Sequence, residues 1–330
     1  MTPWNRWRTV SLAPSITSSP SVSKDSSMAV VTMLYGEKNA LNALYERALK
    51  SHCQLALIQH RPIHILRQDV AAGFWNKPTY ILSLLVAELE KDIEERMTWM
   101  MWVDGDSIIL NTALNPEIFL PPSDFDHVNF LVTKDLEGMN TGIFFLRVCE
   151  WSVRFMVKTI AYPLFQPEVD LGRNADQEVM ARLASEKDFR SHTLYQPRAW
   201  YNAYQLKQRL GYEGSPGSLL VHFPGLEEER LSAMEKWLDV VEGPQATEWT
   251  IPLNQTEYPA QISDFWNEVR KARETMYSAE GFTFGLKNVS PVLTSAISRL
   301  GDILENGTGD TKAVVEATAL LSKALADAQS

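Results

Sequence analysis

The sequence predicts an α/β protein built on an open sheet with helices on both faces. Three observations carry this. Met28-Ala-Val-Val-Thr-Met-Leu-Tyr35 is almost continuously apolar, as strands buried on both faces are. Apolar runs of strand length then alternate with amphipathic runs of helix length, the strand–helix–strand order of a doubly covered sheet. Trp99-Met-Met-Trp-Val103 is a further apolar strand, and it runs straight into acidic residues. Such an acidic end marks a sheet edge where ligands bind.

Each element follows from its residues. Positions 1–27 are polar and rich in Ser and Pro, which predicts a loosely held arm. After the strand at 28–35, Asn39–His52 carries Leu41, Leu44, Tyr45, Ala48 and Leu49 at helical spacing. Gln54–Ile58 reads as a second short strand and Pro78–Arg96 as a longer amphipathic helix. Beyond the 99–103 strand, Val128–Thr133 and Gly142–Arg147 read as strands, while Glu150–Ile160 and Asp176–Glu186 read as helices. Gly217–Phe223 is a late strand containing a histidine. Past about residue 255 the texture turns helical, at Ile262–Tyr277 and at Thr311–Ala328. The expected division is an arm at 1–27, a catalytic domain at 28–250 and a helical extension at 251–330.

Composition bounds the function. The chain has 330 residues, 45% hydrophobic and 22% charged, enough apolar material for a large core. Its net charge of −10 argues against a general attraction to nucleic acid or to an anionic membrane. No apolar run approaches the roughly 20 residues of a membrane span. Two cysteines, Cys53 and Cys149, exclude a disulfide scaffold. A soluble cytoplasmic protein is the expectation, with the Golgi lumen as the alternative if an N-terminal anchor precedes this chain.

The chemistry concentrates in Trp102-Val-Asp104-Gly105-Asp106-Ser107. Two carboxylates one residue apart in extended backbone point to the same side. As hard oxygen ligands they suit Mg²⁺ or Mn²⁺, which bridges diphosphate oxygens. An isolated Asp-x-Asp is ordinarily a solvated turn, and the wholly apolar strand ahead of it argues against that here. Two enzyme classes use the pattern. In a haloacid-dehalogenase-type phosphatase the motif opens the domain, whereas here two earlier strands precede it. In a nucleotide-sugar transferase the pair holds a metal on the diphosphate.

Read with that segment, the remaining motifs resemble glycosyltransferase family 34, the fungal galactosyl- and mannosyltransferases and plant xyloglucan xylosyltransferases. The matching pieces are Val30-Val-Thr32-Met-Leu34, Trp75-Asn-Lys77-Pro78, the Asp104–Asp106 segment, Asn140-Thr-Gly142-Ile-Phe-Phe-Leu-Arg147 with Glu150-Trp-Ser152, Asp176-Gln177, and Val221-His222-Phe-Pro-Gly225. They keep order over about residues 28–226. The resemblance implies a GT-A-type fold and retaining, metal-dependent transfer of a sugar from a nucleotide diphosphate sugar to a hydroxyl acceptor. A UDP-sugar is favoured as donor, with GDP-mannose second. The alternative is an inactive transferase-like subunit that binds nucleotide or a partner protein.

The same resemblance implies roles. Asp104, Asp106 and His222 would hold the metal, with Asp104 also near the donor. Thr32, Lys77, Gly105 and Gly225 would contact the donor, Lys77 by neutralising phosphate and Gly225 by letting backbone approach it. Asn140, Asp176 and Gln177 would face the sugar and acceptor. Two departures stand out. Leu226-Glu227 follows Gly225 where the family carries Cys and a diphosphate-binding Lys, leaving Arg230, Lys77 or the metal to supply that charge. Ala175 replaces an acidic residue ahead of Asp176-Gln177.

Overall fold

A computed structural model describes residues 27–36, 40–207, 210–286 and 288–329. The expected arm, residues 1–27, lies outside these but for its last residue. The strands are β1 (Met28–Met33), β2 (Ile63–Leu66), β3 (Trp99–Val103), β4 (Ser107–Ile109), β5 (Phe130–Asp135), β6 (Gly138–Arg147), β7 (Thr193–Tyr195) and β8 (Leu220–His222). The helices are α1 (Ala40–Ile58), α2 (Asn76–Leu89), α3 (Glu150–Phe165), α4 (Ala175–Ser185), α5 (Lys187–Arg190) and α6 (Arg198–Tyr201). They continue with α7 (Arg230–Glu242), α8 (Ala246–Trp249), α9 (Tyr258–Thr283), α10 (Pro291–Asn306) and α11 (Thr311–Gln329).

Six strands form one mixed sheet in the order β2-β1-β3-β6-β5-β7, and β4 pairs antiparallel with β8 in a separate two-stranded ribbon. β1 runs parallel to β2 and β3, β5 runs parallel to β7, and β6 is antiparallel to both β3 and β5. Every strand of the sheet except β6 therefore ends at the same edge, and β6 starts there. This is the open, helix-flanked α/β sheet that the sequence predicts. One face of the sheet packs Trp102, Phe130 and Phe144 against α2, α3 and α4, and the other packs Met101, Leu131 and Phe145 against Phe119, Tyr201 and α9.

Two elements depart most from expectation. Gln54–Ile58 is the end of α1, with Leu55 and Ala56 buried but Leu57 and Ile58 exposed, a helical and not an alternating pattern. A five-residue apolar run does not distinguish strand from buried helix by itself. His60 at φ 49° and Pro62 end that helix, and the strand follows at Ile63. The helix expected to reach Arg96 stops at Leu89, because Arg96 folds back and donates to the Glu88 and Leu89 carbonyls. A basic side chain there satisfies acceptors that the helix end leaves unpaired.

The C-terminal helices are not a detached unit. The first half of α9 inserts Tyr258, Phe265, Trp266 and Val269 into the main core, and its second half packs with α10 and α11 around Ala272, Leu300 and Leu321. No helix among the described residues is long and apolar enough to cross a membrane.

Candidate metal and donor site

Asp104 and Asp106 stand at the carboxyl end of β3, where its wholly buried strand gives out. The Asp104 amide donates to the Gly142 carbonyl at 2.8 Å, extending the β3–β6 ladder by one residue. Ser107, next in the chain, pairs across the ribbon with His222. That pairing is what brings a histidine from 116 positions away over the acidic turn. His222 Nε2 lies 3.4 Å from Asp106 Oδ1, and one ligand atom from each of Asp104, Asp106 and His222 falls within 4.8 Å of the others.

The protonation of His222 follows from a chain of hydrogen bonds. The Gly142 amide can only donate, and it reaches Asn140 Oδ1 at 3.0 Å, so that atom is an acceptor. Asn202 Nδ2 therefore donates to the same oxygen at 2.9 Å and to Thr133 Oγ1 at 2.8 Å. Its Oδ1 then accepts from His222 Nδ1 at 2.7 Å, which places a proton on Nδ1 and aims Nε2 at Asp106. With Nδ1 committed to Asn202, Nε2 is the atom that faces the carboxylates: protonated it donates to Asp106, and deprotonated it presents the lone pair with which histidine ligates metal. Two carboxylates and one such nitrogen, with further positions open, fit Mn²⁺ or Mg²⁺.

The ring leaves no room beside it. A Cβ on Gly142 would fall 2.3 Å from His222 Cε1 and 2.9 Å from Nε2. The glycine of the Asn140-Thr-Gly142 motif is thus required by the imidazole seated on it.

The charges are set by burial and by each other. Burial and the neighbouring Asp106 push the Asp104 carboxyl above the usual range, against the opposing pull of Lys77 and His222. Burial also works against the charged form of Asp106, but His222 and Arg230 outweigh it and hold its carboxyl down to about 2. Lys77 is buried, and although burial disfavours its charge, Asp104 at 3.3 Å and Asp176 at 3.5 Å raise its pKa. Its ammonium also donates to the Thr141 carbonyl at 3.0 Å.

The sequence-derived residues largely converge. Asp104, Asp106, His222, Lys77, Asp176 and Asn140 form one connected polar group, and Gln177 joins it by accepting from the Thr141 amide at 2.9 Å. Gly105 sits tightly against β1, with its missing Cβ 3.4 Å from the Met33 carbonyl. Gly225 has φ +65° and open space where a side chain would stand. Thr32 lies on β1 with its hydroxyl buried and without a hydrogen-bond partner. Arg230, at the start of α7, brings Nε to 3.6 Å from Asp106 Oδ2, while Phe223 O and Tyr45 OH hold its guanidinium. Sequence reasoning missed Asn202 and Asp135. Asn202 follows a one-turn helix and has no pattern to mark it, and Asp135 reads as an ordinary hairpin residue.

Comparison with known proteins finds partial similarity to glycosyltransferases. Residues 122–232 match the model of the galactosyl transferase GMA12/MNN10 family. Probable glycosyltransferase 3 of Oryza sativa subsp. indica is 23% identical over 195 residues, covering 52% of this chain and 40% of that protein. Probable xyloglucan 6-xylosyltransferase 1 of the same plant is 30% identical over 94 residues, covering 26% and 19%. The chain thus spans less than half the length of these relatives. Among solved structures, a glycosyltransferase involved in glycosylation of the major capsid of PBCV-1 aligns over 63% of this chain and 98% of its own, at 13% identity and a TM-score of 0.48.

Proposed function

We propose that the protein is a metal-dependent, retaining glycosyltransferase that moves a sugar from a nucleotide diphosphate sugar to a hydroxyl acceptor. The observation that carries this reading is the Asp104–Asp106–His222 group, poised within 4.8 Å at the sheet's carboxyl edge. A bound Mn²⁺ or Mg²⁺ would act there as a Lewis acid toward the departing diphosphate. Asp106 and His222 are its natural ligands, and Asp104, tied to Lys77 and the Trp102 indole, is a ligand or a donor contact.

The chain's own residues then do the rest. The bond between the anomeric carbon and the phosphate oxygen breaks, a bond to the acceptor oxygen forms, and the acceptor's proton passes to the departing diphosphate. Arg230 stands beside Asp106 with part of its guanidinium exposed, placed to meet diphosphate charge. It supplies the cation that Leu226 and Glu227 do not. Gly225 offers bare backbone on the same loop. Gln177 has its amide oxygen engaged by Thr141, which leaves its NH₂ end to meet donor hydroxyls. Asp176 is held by Lys77 beside it. A UDP-sugar is the favoured donor and GDP-mannose the second. The xylosyltransferase name of one relative makes UDP-xylose a donor to include.

One observation favours the second reading, a transferase-like subunit without turnover. Three consecutive glutamates, Glu227–Glu229, follow Gly225 where a diphosphate would lie. A hydrolysis screen over UDP- and GDP-sugars with Mn²⁺ separates the readings. Donor turnover that disappears with chelator is expected, and binding of UDP and Mn²⁺ without turnover of any donor would establish the inactive subunit instead.

A further inference from the structure

We propose that the sheet edge opposite the metal group holds a second site, where Arg147 of β6 and Arg273 of α9 bind a phosphate-type dianion. The site does not depend on the transferase reading. β6 ends at this edge, while β3, β5 and β7 begin there. Arg147 pairs with Trp99 on one side, and its amide donates to the Asn129 carbonyl on the other. The Asn129 amide in turn donates to the His192 carbonyl. His127 and Val128 lead into this row, and the basic side chains meet on them. Arg147 Nε donates to the Val128 carbonyl at 3.1 Å, and His192 Nδ1 donates to the His127 carbonyl at 2.6 Å. The His127 ring accepts through Nε2 from Arg273 Nη1. Two guanidinium groups and two imidazoles thus share one dipeptide.

Their charge is not answered within the fold. Arg270 and Arg273, one turn apart on α9, both lie over the Phe125 ring. Asp124 pairs with Arg270 at 2.6 Å, but among the described residues no carboxylate stands within ion-pair distance of Arg273 or Arg147. Burial disfavours the charge of both arginines, opposed at Arg147 by Cys149 and Asp126 and at Arg273 by nothing. Burial, then Arg273 and His192, also lower the pKa of His127 against Asp126, so its imidazole brings no countercharge. A half-buried cation without a countercharge is costly, and an anion from outside the chain removes that cost. With a net charge of −10, the chain does not gather cations here by composition alone.

The free edges of the arginines choose the ligand. The Trp99 ring lies 4.5 Å from the Arg147 guanidinium carbon, and the Phe125 ring 5.0 Å from that of Arg273. Stacking occupies a guanidinium face and leaves its in-plane N–H groups for hydrogen bonds. Arg147 uses Nε on Val128 and keeps both Nη groups, while Arg273 uses Nη1 on His127 and keeps Nε and Nη2. Each kept pair is a two-pronged fork of the kind that grips phosphate oxygens. One dianion balances the two positive charges. Arg273 lies beyond the matched family region, which ends at 232, so the site needs the C-terminal helices as well as the sheet.

Calorimetric titration of the full chain with inorganic phosphate, in chelator and at fixed ionic strength, tests the site. A Kd of roughly 1 mM or tighter is expected. A rise in Tm would not serve, because phosphate stabilises folded proteins generally by exclusion from their surface. Arg147→Gln and Arg273→Gln should each weaken binding by about tenfold or more. Arg147→Lys and Arg273→Lys keep charge and stem but lose the fork, so they should weaken it by about threefold or more. They carry the test if a Gln variant does not fold. Arg230→Met, beside the metal group, should leave phosphate affinity within about twofold, which separates this site from the donor site. Glycerol 3-phosphate in the same titration distinguishes the sources: equal or tighter binding assigns the site to a phosphomonoester, and weaker binding to the free ion. No binding below roughly 20 mM phosphate, affinity kept within about twofold in both folded arginine variants, or affinity lost in Arg230→Met would overturn the inference.

Discussion

Replacing Gly142 with Ala tests whether His222 is a metal ligand or a core histidine. The new Cβ would sit 2.3 Å from His222 Cε1, where ordinary contact begins at 3.4 Å, so a gap of about 1.1 Å must open. The backbone of Gly142 cannot supply it, because its amide is bonded to Asn140 and its carbonyl to the Asp104 amide. The ring must move, yet it is buried and tethered through Nδ1 to Asn202. Overpacking of this kind costs roughly 1–3 kcal/mol, or a Tm lower by about 1–4 °C in a chain of this size. Metal sites tolerate shifts of only about 0.2 Å in ligand position. A displacement several times larger should weaken Mn²⁺ binding by roughly 10–100-fold, as loss of a supporting residue does. Calorimetric titration with Mn²⁺ and thermal unfolding with and without the ion measure both effects. Unchanged Mn²⁺ affinity together with a lowered Tm would show that His222 fills space and ligates nothing.

Three further outcomes follow from the same contacts. Asn202→Ala removes the acceptor that holds the His222 Nδ1 proton, and should cost roughly tenfold or more in Mn²⁺ affinity while donor-free stability falls by about 1–3 kcal/mol; titration calorimetry at wild-type affinity would contradict it. Lys77→Met leaves Asp104 and Asp176 facing one another without their shared cation and should destabilise by about 3–5 kcal/mol. Urea unfolding checks this, and a loss below about 1 kcal/mol would mean that the carboxylates need no partner. His52 is buried, its pKa lowered to about 4 by burial, with the Ser107 carbonyl opposing. Between pH 6.5 and 4 the unfolded chain binds a proton there that the native chain does not. Stability should therefore fall by up to about 3 kcal/mol as pH drops through that window. His52→Gln should flatten this acid limb, and an identical limb in the variant would rule His52 out.

How much of this was legible in the sequence depends on the kind of force involved. β1 and β3 were visible because strands buried on both faces must be apolar at every position, and Trp99–Val103 is fully buried. The acidic turn was visible because it interrupts such a run. The three-residue strands β4 and β7 left no periodicity to read, although β4 is the element that delivers Ser107 opposite His222. The stretch at 54–58 misled because five apolar residues satisfy either period, and only the exposure of Leu57 and Ile58 tells them apart. The site divides the same way. Asp104, Asp106 and His222 announce themselves by residue type and setting. Asn202 does not, since its role is made of hydrogen bonds to Thr133, Asn140 and His222, partners 69, 62 and 20 positions away. Gly142 lies between these cases. Its motif could be read, but the reason for a glycine there, an imidazole lying against its backbone, exists only once two distant strands have been brought together.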